Sequence, residues 1–428
     1  MNSIYDIAIV GGGPAGMMAG IAAKEDKPAR NASRVRLGVA GGVCLLERNK
    51  SLGVKLLLTG NGRCNLTTSK TISEIVKAFG SKGAFLYSAL SRFSNIDLMN
   101  FFKAKGVALK EERGQRIFPA NDKAISILNV LKTELTREGI EIIYQFKVVK
   151  IEKQENYFKI FGDKRQTILA QKVIIATGGK SYPETGSTGD GYQFAKSLGH
   201  RISPLKPAMV PLFVKDEEIR SLAGLDLENV RLTILANSKP SISIFGDLLF
   251  THQGISGPIV LTISRDVYDL FMGSYEVIAS IDLKPALDKE KLRQRINRDV
   301  LTFAKKEYQS LLAELLPKSL ISYAIKRTQI DEHKRNGNLT KEEKDRLLDF
   351  LKNFNFIIDG VAPIEEGIIT SGGVRIEEID QRTMESKIVK GLYFAGEMIE
   401  LEGPTGGFNL TKAFSTGWLA GKSASSSS

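Results

Sequence analysis

The chain of 428 residues contains only two cysteines, Cys44 and Cys64. They form no C-x-x-C pair and are too few for a disulfide framework. Dithiol chemistry is therefore not expected, and a reducing compartment such as the cytoplasm fits. The three histidines, His200, His252 and His333, are scattered without metal-ligand spacing, so no metal site is expected. No apolar run approaches the roughly 18 residues that cross a bilayer, and no membrane role is expected. No basic segment precedes the first apolar run, and Asp6 lies inside it. That pattern reads as a first strand rather than a signal peptide.

What is present is basic. Sixty Lys and Arg against 48 Asp and Glu give a net charge of +12. A surplus of that size favours acidic partners such as nucleotides or RNA, and equally general solubility. Residues 284–352 hold 17 basic and 11 acidic residues. About a sixth of the chain thus carries half of the net charge. Within it Lys326, Arg327, Lys334 and Arg335, with Tyr323 nearby, are candidates to follow a phosphate backbone. The alternative is a solvated helix face balanced by Asp331, Glu332, Glu342 and Glu343.

The strongest local signal lies at the start. An apolar run, Ile7–Val10, meets GGGPAG at 11–16, and a small-residue helix follows. This is a G-x-G-x-x-G turn between strand and helix. Gly11 permits the tight turn, Gly13 lets backbone approach a pyrophosphate, and Gly16 lets the helix pack close. Pro14 and Ala15 open the helix, whose N-terminus favours phosphate. A second apolar strand, 43–46, ends in Glu47. An acid at that strand end accepts hydrogen bonds from an adenosine ribose, usually about 20 residues after the glycines. Here it comes 31 residues after Gly16, which an insertion within 24–42 explains.

Residues 71–139 read as mostly helical, and 140–161 as a strand pair. A buried strand, 172–176, runs into Thr177-Gly178-Gly179. Alternation over 209–283 predicts half-buried antiparallel strands. Helical patterning takes over at 286–353, where Pro317 divides the helices. Strands and glycine turns return near 354. The chain closes with a helix over 411–421 and a serine tail expected to be disordered. Glycine-rich nucleotide elements at both ends imply one α/β nucleotide domain interrupted by an insertion.

Further motifs sharpen this. KLLLTGNGRCN, 55–65, supplies Gly60 and Gly62 for close backbone approach and Asn61, Arg63 and Asn65 as donors. GLYFAGE, 391–397, reads as a strand into a Gly-Glu turn. GPTGGFNL, 403–410, opens the final helix, whose N-terminus stabilises negative charge. No second G-x-G-x-x-G follows a later strand, which argues against a two-nucleotide disulfide-reductase architecture.

These segments, with GQRIFPANDKA, VIIATGGKSYPETGSTGDGY, LFTHQGISGP and ITSGGVRIEEID, cover nearly the whole chain in order. The chain resembles the BaiN-type, aminoacetone-oxidase-like family of NAD(P)/FAD-dependent flavoprotein oxidoreductases. The resemblance implies a Rossmann-type FAD-binding domain (1–203 and 367–424), an inserted β-barrel-like domain (204–284 and 354–366) and a small helical domain (285–353). The stretch 24–42 is longer than the family pattern. FAD contacts are implied at Gly11, Gly13, Pro14, Ala15 and Gly16 around the pyrophosphate. Glu47 and Arg48 would face the adenosine end, with Val148 beside the adenine. Thr177 and Gly178 would pack at the same end. Lys55, Asn61, Gly62, Cys64 and Asn65 would lie along the flavin. Gly396, Glu397, Gly407, Phe408 and Asn409 would close over it.

The resemblance permits three reactions. One is hydride transfer from NAD(P)H, a transient donor, by way of FAD to a conjugated C=C. The second is dihydrouridine formation in rRNA, and the third is amine oxidation with oxygen. A non-enzymatic RNA-binding flavoprotein is a fourth reading. Candidate proton donors are Cys64, His252 and Tyr182. Cys64 is an acid at neutral pH if its pKa stays near 8.5; the competing reading is a small buried residue. Arg63 is a candidate for an anionic substrate group.

Overall fold

The structure, a computed structural model, describes residues 4–24 and 42–426. All but the end residues of the 24–42 stretch therefore lie outside the described residues. The chain divides into two units, one of residues 1–206 with 364–428 and one of 207–363. No helix among the described residues is long and apolar enough to cross a membrane.

The first unit is built on a seven-stranded sheet. Its first strand, Ile4–Val10, lies parallel to Val43–Leu46 on one side and Thr167–Ile175 on the other. Ile7 to Val10 are buried, as a strand covered on both faces requires. The far edge of Thr167–Ile175 has two partners. Its first half pairs antiparallel with Phe158–Gly162, and its second half pairs parallel with Leu392–Phe394. The late segment of the chain is thus threaded into the sheet beside Thr167–Ile175, one strand removed from the first strand. The two chain ends share one unit and one sheet.

A helix pair completes the join. The first helix, Pro14–Lys24, carries proline at its first position, where the missing N–H costs nothing. Every residue from Ala15 to Ala23 is buried. It packs on the closing helix, Phe408–Ser425, with the backbones nearly touching. A Cβ at Gly417 would lie 2.3 Å from the Ala15 carbonyl oxygen, and one at Gly421 2.2 Å from that of Ala19. Gly417→Val should therefore destabilise the protein by about 2–4 kcal/mol, since backbone cannot yield as a side chain does. Urea unfolding with an unchanged m-value checks this.

The closing helix is longer than its apolar spacing predicts. It runs through Ser425, because Lys172 donates to the carbonyls of Ala424 (2.8 Å) and Ser426 (3.1 Å). Lysine at a helix C-terminus satisfies orphan carbonyls and opposes the dipole. The 71–139 region, mostly helical as read from the sequence, also holds two short strands. Thr67–Thr68, Leu109–Glu112 and Arg116–Pro119 form a small antiparallel sheet.

His200 is structural. It is 3% exposed, with Nδ1 3.1 Å from Glu378 and Nε2 2.8 Å from the Ser386 hydroxyl. Its ring meets Phe394 edge-on at 4.8 Å. Burial pushes its pKa down, only partly offset by Glu378. The unfolded chain therefore binds a proton that the folded one resists. Stability from this site is complete above the unfolded value near 6.5 and falls as pH drops below it. His333, exposed and raised by Glu307, works in the opposite sense. His200→Gln should accordingly flatten the loss of denaturation midpoint between pH 7 and 5, measured as a difference from the parent.

The second unit carries its own core and a seven-stranded sheet running from Phe354–Ile357 through Val277–Asp282, Asp226–Ala236 and Lys239–Thr251 to Gly360–Val361. The pairing is a continuous path, and closure into a barrel is not part of it. Helices between Lys289 and Lys352 share that core with the strands. Tyr323 packs at a tilt against Phe350 and Phe354 inside it and is 8% exposed. Tyr323 is thus unavailable to stack on a base. Lys334 is bound to Glu343 (2.7 Å), and Lys326 is paired with Glu218.

Candidate functional site

The glycine turn assigns a separate task to each glycine. Gly11 has a φ of +107°, and a Cβ there would meet the Ala176 carbonyl oxygen at 2.5 Å. At Gly16 a Cβ would stand 1.9 Å from the Gly11 carbonyl oxygen. Gly13 differs: a Cβ would find nothing within 4 Å. The turn is sterically closed on the protein side and open at Gly13, in front of the first helix's N-terminus. That is the shape a pyrophosphate needs.

Glu47 sits where a ribose acid belongs. It is 6% exposed at the end of the second strand. Its two oxygens accept from the Gly12 and Asn49 N–H groups, each at 2.8 Å. Burial pushes its pKa up, against the pull of those two N–H groups. Arg48 does not share the task. Its guanidinium turns to Thr188 (2.5 Å) and Asp190 (3.0 Å), tying the strand end to the 186–190 turn. Val148 is buried at the start of an outer strand. Thr177 rests its hydroxyl on the Met398 sulfur at 3.1 Å, and Gly178 turns with a φ of +77°.

The other end converges on the closing helix. Gly407 has a φ of +92°, and a Cβ there would lie 2.4 Å from the Thr67 backbone. The Asn65 amide, oriented by its hydrogen-bond network, bridges the Thr67 carbonyl (3.2 Å) and the Gly407 N–H (3.1 Å). Asn409 accepts from the Gly403 N–H (2.9 Å) and donates to its carbonyl (2.7 Å). Phe408 is buried against Phe79. Gly396 has a φ of +73° and donates its N–H to Thr416 at 3.0 Å. Glu397 accepts from Lys55 (3.1 Å) and from the Thr370 N–H (2.8 Å). Burial opposes its charge, but Lys55 and the Thr370 N–H prevail and hold its pKa below the ordinary carboxylate range.

The 59–65 loop is left-handed over Gly60, Asn61 and Gly62, with φ of 58°, 55° and 84°. Asn61 and Gly62 are exposed. Cys64, also left-handed at 62°, is fully buried, and burial pushes its thiol up to about 12. A thiol so displaced is a weaker acid by about 4 kcal/mol, which works against proton delivery. Arg63 is occupied. It bonds Asp122 at 2.7 Å, pairs with Glu112, and lies 4.4 Å from the centre of the Phe118 ring. The guanidinium clamps the loop to the small sheet rather than standing free for an anion. Tyr182 (φ 54°) lines an open cleft with Pro183, Glu184, Glu365 and Glu366. His252 is exposed in the two-residue turn of a hairpin of the second unit.

Sequence reasoning missed the polar face of the closing helix. Thr411, Lys412, Ser415 and Thr416 are all buried. They reach the Thr67 hydroxyl, the Leu401 carbonyl, the Phe93 carbonyl and the Gly396 N–H respectively. The available signal was four polar residues at helical spacing, Thr411, Lys412, Ser415 and Thr416, within the first three turns of the helix.

The geometry describes a cradle for an extended dinucleotide beyond the C-terminal ends of the parallel strands of a Rossmann-type sheet. Comparison with known proteins is decisive for its class. The family described as HI0933-like protein Rossmann domain matches residues 5–423. The chain belongs to this family. As an HI0933-like protein it is a FAD-dependent oxidoreductase of the BaiN type. It is 32% identical over 419 residues to a 3-dehydro-bile acid delta(4,6)-reductase of Clostridium scindens, with 98% of each chain covered. It is 30% identical to a ribosomal RNA dihydrouridine synthase of Escherichia coli, covering 97% of this chain and 96% of that one. Among solved structures, a flavocytochrome c3 fumarate reductase in its open conformation shares the fold at a TM-score of 0.51 and 17% identity, covering 99% of this chain and 78% of that one. The cradle suits FAD: Gly13 leaves room at the helix start, and Glu47 presents an oriented carboxylate.

Proposed function

We propose that this HI0933-like protein saturates a carbon–carbon double bond conjugated to a carbonyl, drawing electrons from NAD(P)H. The observation that carries the reading is end-to-end similarity to two relatives, a bile acid reductase and an rRNA dihydrouridine synthase, whose names share that chemistry. A 3-dehydro-bile acid delta(4,6)-reductase acts on double bonds conjugated with a ring ketone. A dihydrouridine synthase removes the uracil double bond conjugated with its carbonyl. FAD, when bound, supplies the hydride from its N5.

The chain's own residues do the rest. Gly13 and the helix start hold the pyrophosphate, and Glu47 orients the ribose. Lys55, Asn65 and the Gly407–Asn409 helix start fix the flavin end. The helix N-terminus there would favour negative charge on a bound flavin. The product carbon next to the carbonyl needs a proton. Cys64 is sealed while Tyr182 opens on a cleft, which leaves Tyr182 the accessible one of these two candidates. Both cysteines are buried with raised pKa values, which leaves no reactive thiolate for dithiol exchange.

A second substrate reading, uridine in rRNA, draws on the +12 net charge and the Escherichia coli relative. One experiment separates the cases. Under anaerobic conditions NADPH or NADH is added and the flavin's visible absorbance followed. A 3-keto-4-ene steroid or deproteinised rRNA is then supplied. Bleaching, followed by recovery with one of the two acceptors, is the expected result. No bleaching with either nucleotide, together with oxygen uptake on small amines, would overturn the reductase reading in favour of an oxidase.

A further inference from the structure

Lys412 is the most deeply buried ammonium of the first unit's candidate site, at 3% exposed, and the dinucleotide contacts do not use it. It lies one turn into the closing helix, and its Nζ donates to the Leu401 carbonyl. A buried ammonium with one backbone acceptor is under-compensated. The charges facing it are Glu397 from the Gly396 turn, Glu402 from the segment before the helix, and Lys55 from the Val54–Leu58 helix. Ser371 donates to Glu402 at 2.9 Å, and Lys55 is bound to Glu397. With Lys412 protonated, the four charges balance. With it neutral, they sum to one negative charge.

We propose that Lys412 is a positioning residue that balances charge at the flavin end: when reduction adds negative charge there, Nζ is held as, or becomes, the ammonium. This rests on the reading of Gly396, Glu397 and Gly407–Asn409 as flavin contacts. The balance is simple. The electron pair comes from the nicotinamide or another reductant, the proton comes from water, and Nζ passes from amine to ammonium. Burial pushes Lys412 down to about 8, with Glu397 and Glu402 pulling the other way. Below that pH the residue is already charged. Above it, reduction draws in one further proton. Glu397, held below the carboxylate range, does not titrate in this window.

The test is the reduction potential of the flavin-loaded protein from pH 7 to 10. Each proton taken up with the electron pair makes the potential fall about 30 mV more per pH unit. The parent should show a break near pH 8, steepening by one such increment. Lys412→Gln keeps an N–H donor without the charge, and Lys412→Arg keeps a charge that does not titrate; neither should show the break. Identical slopes in the parent and in a flavin-retaining variant would overturn the proposal. If only Lys412→Arg retains flavin, it carries the test alone. Failure of the underlying site reading looks different: Gly13→Ala would then bind FAD as tightly as the parent.

Discussion

Gly13→Ala should give a folded protein that no longer retains FAD, whereas Gly16→Ala should lose fold and cofactor together. The two positions lie in one turn, and a single methyl meets opposite surroundings. At Gly16 it would overlap a backbone carbonyl at 1.9 Å, where ordinary contacts begin above 3 Å. Either the helix start or the strand end must shift by roughly 1 Å. Alanine's better helix propensity returns at most about 1 kcal/mol. Overpacking against a rigid backbone costs about 1–3 kcal/mol or more, so destabilisation wins. The shift also turns the helix-start N–H groups off the pyrophosphate. At Gly13 nothing within 4 Å opposes the methyl, so the melting temperature should stay within a degree or two of the parent's. The methyl instead occupies the space into which phosphate must come. A loss of at least about 2.7 kcal/mol, roughly a hundredfold in FAD affinity, is expected. Fluorescence titration of the apoprotein with FAD, beside a thermal melt, reads both effects. An unchanged affinity in Gly13→Ala would place the pyrophosphate elsewhere.

What could be read from the sequence follows from how local each determinant is. The first strand and glycine turn declare themselves within 13 residues, because backbone geometry alone demands those glycines. The position of Glu47 at the strand end was legible despite the long interval, because the strand end fixes it and not the count from Gly16. The joining of the two chain ends was legible from glycine turns at both. Pairs distant in sequence were not. Arg63 looked free because its partners, Glu112 and Asp122, belong to strands and turns too short to show a period. The small sheet they flank has strands of two to four residues, held by tertiary contact. Tyr323 looked accessible because it neighbours lysine and arginine in sequence. Its helix face instead turns it onto Phe350 and Phe354. The polar stripe of the closing helix reads as solvent-facing until the loops at 67, 93, 396 and 401 fold over it.

Replacing Glu47 tests whether its carboxylate serves the ligand, the turn or both, and glutamine is the sharper substitution. Each carboxylate oxygen accepts one backbone N–H, Gly12 on one side and Asn49 on the other. Glutamine matches the shape but offers one oxygen and one NH2. Whichever way the amide turns, a backbone N–H faces another donor at about 2.8 Å. A buried donor left unsatisfied costs about 1–3 kcal/mol. Glu47→Gln should therefore lose nearly as much stability as Glu47→Ala, although it adds no cavity. Ligand binding should suffer as well. Burial holds the Glu47 charge at a cost that two N–H groups only partly offset. Ribose hydroxyls arriving as donors relieve that cost, and an amide gives them a weaker acceptor. A drop of about a hundredfold in FAD affinity, near 2.7 kcal/mol, is expected in both variants. Urea unfolding of the apoprotein isolates the turn, and FAD titration adds the ligand. If Glu47→Gln kept the parent's apoprotein stability while losing affinity, the acid would serve the ribose alone. Loss of both makes it the strut that holds the glycine turn in its binding shape before FAD arrives.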